Sequence, residues 1–135
     1  MLSKITHTGV WVSDLDQALA FYTEKLGFEV RYDIRERDWS WTVVAPTGGD
    51  GPELMLSVPG PPFMDPGSAA QVLELVAKGA LGAGILATDD CAADYERLRA
   101  NGVEFQQEPV ERDYGIDAAF RDPFGNSWRM TQRSA

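Results

Sequence analysis

The chain has 135 residues, with 44% hydrophobic and 24% charged side chains, a composition that excludes disorder and suits one compact domain with its own core. Twenty-one acidic residues against 12 basic ones give a net charge of −9; such a surface repels phosphate backbones, so nucleic acid is not an expected partner, and it would tolerate or attract a cationic ligand. No apolar run approaches the roughly 20 residues of a membrane span, and residues 1–10 carry no uninterrupted apolar stretch of the signal-peptide kind, so a cytoplasmic location is expected, with no membrane partner.

The first predicted element is a strand over residues 5–12, which alternates and ends in Ser13-Asp14. A helix follows. Asp14 caps it, with Gln17 three residues on as in a capping box. Leu15, Ala18, Leu19, Tyr22 and Leu26 recur at helical spacing and form one apolar stripe. Gly27 ends the helix, and residues 28–33 read as a strand. Strands at about 38–45 and 53–58 come next, separated by the hairpin loop Pro46-Thr47-Gly48-Gly49-Asp50-Gly51-Pro52.

Pro59-Gly60-Pro61-Pro62 then breaks the chain, and Asp65-Pro66-Gly67-Ser68 opens a short helix at about 68–78. It serves as packing, as a lid over a pocket, or as a dimer contact. Residues 84–88 form the next strand. Asp89 or Asp90 caps a helix striped by Cys91, Tyr95 and Leu98, Gly102 stops it, and residues 103–106 begin another strand. Residues 107–115 are expected to form a mobile loop, with Tyr114 either a ligand contact or a surface residue. Strands at about 117–121 and 127–132 flank the turn Asp122-Pro123-Phe124-Gly125-Asn126.

The two halves echo each other at a constant offset. Gly9-Val10-Trp11-Val12-Ser13-Asp14 aligns with Gly84-Ile85-Leu86-Ala87-Thr88-Asp89, and Gly27-Phe28-Glu29 with Gly102-Val103-Glu104. Each half therefore reads βαβββ, an α+β class with two modules: about 1–60, a linker helix at about 66–79, and about 80–135 in a single 1–135 domain. Cys91 and His7 are each alone, which excludes an internal disulfide and a CxxC metal knuckle and restricts metal chemistry.

With these residues in view, the chain resembles the vicinal oxygen chelate (glyoxalase/bleomycin-resistance/dioxygenase) superfamily. The resemblance rests on the doubled βαβββ pattern, His7 in the first strand, Phe21-Tyr22-x-x-x-Leu26-Gly27-Phe28, and Asp122-Pro123-Phe124-Gly125-Asn126. It implies half-barrel sheets with helices on the convex faces, a ligand pocket on the concave faces, and a homodimer. It also implies four metal-ligand positions drawn from His, Glu and Gln. The first falls on His7 and matches. The second falls on Met55, with Glu53 two residues earlier on the same face. The third falls on Gly82 or Ala83, and the fourth on Arg129, whose guanidinium has no free lone pair. The implied metal site is thus dismantled, no cofactor is expected, and His7 and Glu53 alone would serve if a divalent metal bound.

If His7 points inward, strand alternation places Ile5, Gly9, Trp11, Trp39, Trp41, Glu53, Met55, Ser57, Ala83, Ile85, Ala87, Ala118, Phe120, Ser127, Arg129 and Thr131 on the pocket side. The expected ligand contacts are His7, Trp11, Trp39, Trp41, Glu53, Met55, Phe120 and Arg129. The tryptophans either stack on a ligand or fill the barrel. Arg129 either holds a ligand carboxylate or pairs with Glu53. His7 is a pocket hydrogen-bonding group or a satisfied core histidine. The expected function is metal-independent binding of a small organic molecule, as in a protein that sequesters an antibiotic. The alternatives are a superfamily enzyme of lyase or dioxygenase type, using metal or acid–base work by His7 and Glu53, and a structural dimer with a vestigial pocket.

Overall fold

A computed structural model describes residues 1–134. The chain falls into two compact units, Met1–Glu74 and Leu75–Ala135. The first contains β1 (His7–Trp11), α1 (Leu15–Ala20), β2 (Phe28–Arg35), β3 (Ser40–Pro46) and β4 (Glu53–Ser57). A π-helical turn, Phe21–Lys25, continues α1. Helix α2 (Pro66–Ala77) spans the division. The second unit contains β5 (Gly82–Ala87), α3 (Cys91–Ala100), β6 (Glu104–Arg112), β7 (Gly115–Arg121) and β8 (Ser127–Arg133). Each unit holds one four-stranded sheet, ordered β1-β4-β3-β2 in the first and β5-β8-β7-β6 in the second. The outer pairs β1·β4 and β5·β8 are parallel and the other pairs antiparallel. The two βαβββ modules are therefore present. No helix among the described residues is long and apolar enough to cross a membrane.

Both sheet helices start where the capping residues predict. The Gln17 backbone N–H donates to Asp14 Oδ1 at 2.8 Å. In the second unit the cap is Asp90, whose Oδ1 accepts from the Ala93 N–H at 3.0 Å. Gly27 and Gly102, one after each helix, have φ of +80° and +93°, the left-handed conformation that turns the chain back toward the sheet.

One face of each sheet is covered by its helix. In the first unit Val10, Leu54, Leu56 and Val44 are buried on that face, as are Ala18, Phe21, Tyr22 and Leu26 of the helical segment. In the second, the rings of Tyr95, Phe105 and Phe120 form a chain with centroids 4.7 and 5.5 Å apart. Trp128, Met130, Leu98 and Val103 complete that core. Cys91 opens α3 fully buried, its backbone N–H donating to Gln132 Oε1 at 3.0 Å. Burial, with Asp117, Asp94 and Asp90 nearby, pushes its thiol up, so the nucleophilic thiolate is suppressed.

Residues 107–115 are not a loop. β6 runs to Arg112 and β7 starts at Gly115, so the hairpin reverses over two residues. Register shifts between Phe105 and Val110 absorb the extra residues and admit Pro109, which could not donate to a regular ladder.

The Asp122–Asn126 turn is closed by one carboxylate. Asp122 Oδ1 accepts from the backbone N–H groups of Phe124, Gly125 and Asn126 at 3.0, 3.0 and 2.8 Å, and Oδ2 accepts from Asn126 Nδ2 at 2.8 Å. Gly125 has φ +110°, and a Cβ there would lie 2.0 Å from the Val76 carbonyl oxygen in α2. Gly27 faces open space at φ +80°. Gly125→Ala is therefore expected to cost about 3 kcal/mol, strain and displaced helix together, and Gly27→Ala about 1 kcal/mol from φ alone. Urea denaturation of both variants checks the order.

Candidate functional site

The face of each sheet turned away from its helix carries the polar and aromatic residues. In the first unit His7 pairs directly with Glu53, Gly9 with Met55, and Trp11 with Ser57. Adjacent strands in register share a face, so these residues line one side of the sheet. The residue beside His7 is Glu53, and Met55 stands one alternation further along, its Cε over Gly9. Met55, on which the resemblance places the second ligand position, shares the face with Glu53 but stands one alternation away from His7.

His7 Nε2 lies 3.3 Å from Glu53 Oε1, and Arg31 Nε lies 3.2 Å from Glu53 Oε2. Arg31 Nη1 also reaches Glu29 Oε1 at 2.6 Å. His7 Nε2 and Arg31 Nε are buried without a hydrogen bond of good geometry, so both retain donor or acceptor capacity toward a further group. His7 Nδ1 is 3.0 Å from Thr6 Oγ1. The Trp41 ring packs on His7 at 5.0 Å between centroids, and Tyr32 follows at 6.5 Å. Arg31 stands two residues after Glu29, whose ladder partner Ala45 lies on this face, and so shares it by regular alternation. The bulge between Val30 and Tyr32 then brings Tyr32 onto the same face, and no residue pattern announces it.

A cleft of about 570 Å³ in this unit is lined by Trp11, Leu15, Arg35, Trp39, Ser57 and Phe63, among others, while His7 and Glu53 line a separate one of about 460 Å³. Trp11 is 36% exposed and Trp39 48%. Trp39 precedes β3 in the tight β2–β3 connection, where its carbonyl accepts from the Glu36 N–H at 2.8 Å.

In the second unit the corresponding face centres on Asp117, which is 0% exposed. Its Oδ1 accepts from Gln107 Nε2 at 3.0 Å and from Arg112 Nε at 3.3 Å. Its Oδ2 accepts from the Tyr114 hydroxyl and from Arg129 Nη1 at 3.2 Å. Burial pushes this carboxyl up, but the hydrogen bonds from Tyr114, Gln107 and Arg112 together outweigh it and hold the carboxyl below the usual range. The same bond raises the Tyr114 phenol, which stays protonated as a donor. Arg129 thus pairs with Asp117, whereas Glu53 takes its cation from Arg31.

Phe120 does not belong to this face. It stands opposite Trp128 in the β7·β8 ladder, is 1% exposed, and packs on Phe105 in the core. The slip of one residue exchanges the pair Ala118 and Phe120 for Asp117 and Ala119, since a strand's side chains alternate. The turn at 122–126 held the signal: it makes Phe120 and Trp128 hairpin partners, and Trp128 belongs under the helix.

The family's metal does not fit the residues present. His7 and Glu53 supply two donors, and the Arg31 guanidinium on the same carboxylate brings charge of the ion's own sign. Gly82 and Ala83 have no donor side chain, and Arg129 has no lone pair to give. Among the described residues no group of three or more His, Cys, Asp or Glu could hold a metal ion.

The fold and this face define a small domain of the glyoxalase type, and comparison with known proteins agrees. The model of the Glyoxalase/Bleomycin resistance protein/Dioxygenase superfamily matches residues 4–130. The chain belongs to that superfamily. It is similar to the crystal structure of UcmS2, with a TM-score of 0.92 and 44% identity over 97% of this chain and 98% of that one. It is also similar to TnmS3, an antibiotic binding protein from Streptomyces sp. CB03234, with a TM-score of 0.78 and 34% identity over 98% of both chains. An uncharacterized protein of Shewanella frigidimarina is 35% identical over 98% of this chain and 95% of its own length.

Because the folded-state pKa of Asp117 is lowered, its carboxylate stabilises the protein above the ordinary carboxyl range, near pH 4. That contribution is lost as pH falls through the lower folded value. Asp117→Asn is expected to cost about 2 kcal/mol at neutral pH, because it leaves donors of Gln107, Arg112, Tyr114 and Arg129 short of an acceptor. The difference from wild type should shrink below about pH 4. Thermal melts across pH measure both.

Proposed function

We propose that the chain binds a small organic molecule noncovalently and without a metal, on the aromatic face of its first unit. The observation that carries this reading is the ring set Trp11, Trp39, Tyr32 and Trp41. Trp41 and Tyr32 stand on the sheet face turned away from α1, their centroids 6.5 Å apart, and Trp11 and Trp39 line a cleft of about 570 Å³. Flat apolar surface left facing water is stabilised when a ligand covers it, by about 25 cal/mol per Å². Offset or edge-on ring contacts add roughly 0.5–1.5 kcal/mol each. His7 Nε2 and Arg31 Nε, buried and short of well-formed hydrogen bonds, supply polar points that orient the ligand, the usual composition of a small-molecule site. The likeness to an antibiotic binding protein at 34% identity supports the same class of ligand, and the net charge of −9 favours neutral or cationic members of it at this face.

Intrinsic tryptophan fluorescence tests the proposal. Titration with planar aromatic compounds, antibiotics among them, should give saturable quenching that excess EDTA leaves unchanged. Trp39→Ala should weaken binding about tenfold, the loss of one stacked contact. Binding that disappears on chelation and returns with a divalent ion would refute metal independence. Equal affinity in Trp39→Ala and Trp11→Ala would remove the aromatic face as the site.

A further inference from the structure

The second unit carries a cationic patch that the aromatic face of the first does not explain. The chain as a whole is acidic, with a net charge of −9. Yet the ladder registers put Arg112, Arg121, Arg129 and Arg133 on the open face of the second sheet, with Asp117 and Glu104 as the carboxylates of that face. Two of the four guanidiniums, Arg112 and Arg129, converge on the single buried carboxylate of Asp117. One carboxylate neutralises one of them, and the cluster keeps an uncompensated positive charge.

The geometry also leaves hydrogen-bonding capacity. Arg129 spends Nη1 on Asp117 Oδ2 and Gln107 Oε1, at 3.2 and 3.4 Å. Its Nε and Nη2 have no protein partner among the described residues, and its side chain is 50% exposed. Asp117 and Gln107 thus hold one edge of the guanidinium, which reduces the rotamer entropy lost on binding, and the opposite edge remains for a planar oxyanion. A cleft of about 510 Å³ adjoins it, lined by Ala83, Ile85, Ala119, Arg121, Ser127 and Arg129 among others. Ile85, the ladder partner of Arg129, is 71% exposed. An apolar body therefore has a surface to cover directly beside the charged edge.

We infer that this cleft is a binding site for an organic monoanion, an apolar or aromatic body carrying a carboxylate or phenolate, with Arg129 as its anion-recognising residue. Asp117, Gln107 and Arg112 are positioning residues: they fix the guanidinium and touch no ligand atom. The inference does not depend on the reading of the first unit, since none of its residues lies there.

The experiment is an NMR titration of the full chain with 1-naphthoate and with its neutral counterpart 1-naphthamide, at low ionic strength, following backbone amides and the Arg Nε–Hε signals. Naphthoate should shift Ile85, Ala119 and the Arg129 Nε–Hε signal. It should bind there about tenfold more tightly than naphthamide, the scale of one charge-assisted contact. Arg129→Gln should abolish that preference, and Arg129→Lys should keep part of it. Trp39→Ala should leave the shifts in the second unit unchanged, which separates this site from the aromatic face. Equal affinity for the two compounds, shifts confined to the first unit, or no shift at Arg129 at millimolar naphthoate would overturn the inference. The wild-type comparison decides this even if Arg129→Gln does not fold.

Discussion

Everything in each unit depends on the alternation of side chains across a sheet that has one face under a helix. Burial of Val10, Val44, Leu54 and Leu56 in the first unit, and of Ala118, Phe120, Trp128 and Met130 in the second, leaves no freedom in register. A shift of one residue would turn the apolar set to water and the charged set into the core. The open faces are therefore determined by the buried ones. His7 meets Glu53, and Asp117 meets the ladder rung of Thr131, because their neighbours along each strand are held beneath a helix. The bulge in β2 is the exception, since it puts Tyr32 on the same face as Glu29 and Arg31.

Within that frame the two open faces solve the same electrostatic problem in the same way. Each carries a carboxylate at a half-buried or fully buried place, Glu53 in one and Asp117 in the other, and each carboxylate is met by guanidinium. Arginine suits this role because it stays charged and presents a planar fork of donors. On both faces that positive charge is covalently part of the chain, so it is fixed in place to orient and attract groups of opposite sign.

Much of the fold was legible in the sequence, because its signals are local. Asp14 and Asp90 are capping residues, Gly27 and Gly102 end helices, and the 122–126 turn carries its own carboxylate clamp. The repeat made each half a check on the other. The site was legible only in part. His7, Glu53, Trp11, Trp39 and Trp41 do come together on or beside one face. That Glu53 rather than Met55 stands directly beside His7 comes from the ladder register, because apolar spacing alone does not say which rung of β4 meets it. Asp117 was missed because the open face of β7 was given to Ala118 and Phe120, the alternating set that in fact lies under the helix with Trp128 and Met130. The reach of β6 to Arg112 was hidden because Pro109 reads as a breaker, while the irregular ladder around it absorbs the missing donor.

The solitary Cys91 has a practical consequence. Its thiol is enclosed beneath α3 and held in the protonated form by burial and by surrounding carboxylates, so the folded chain offers thiol reagents almost nothing to attack. The protein is in effect a blank slate for site-directed labelling. A cysteine introduced on the rim of either open face can carry a fluorophore or spin label without removal of the native one, and the two faces can then be watched one at a time in the same fold.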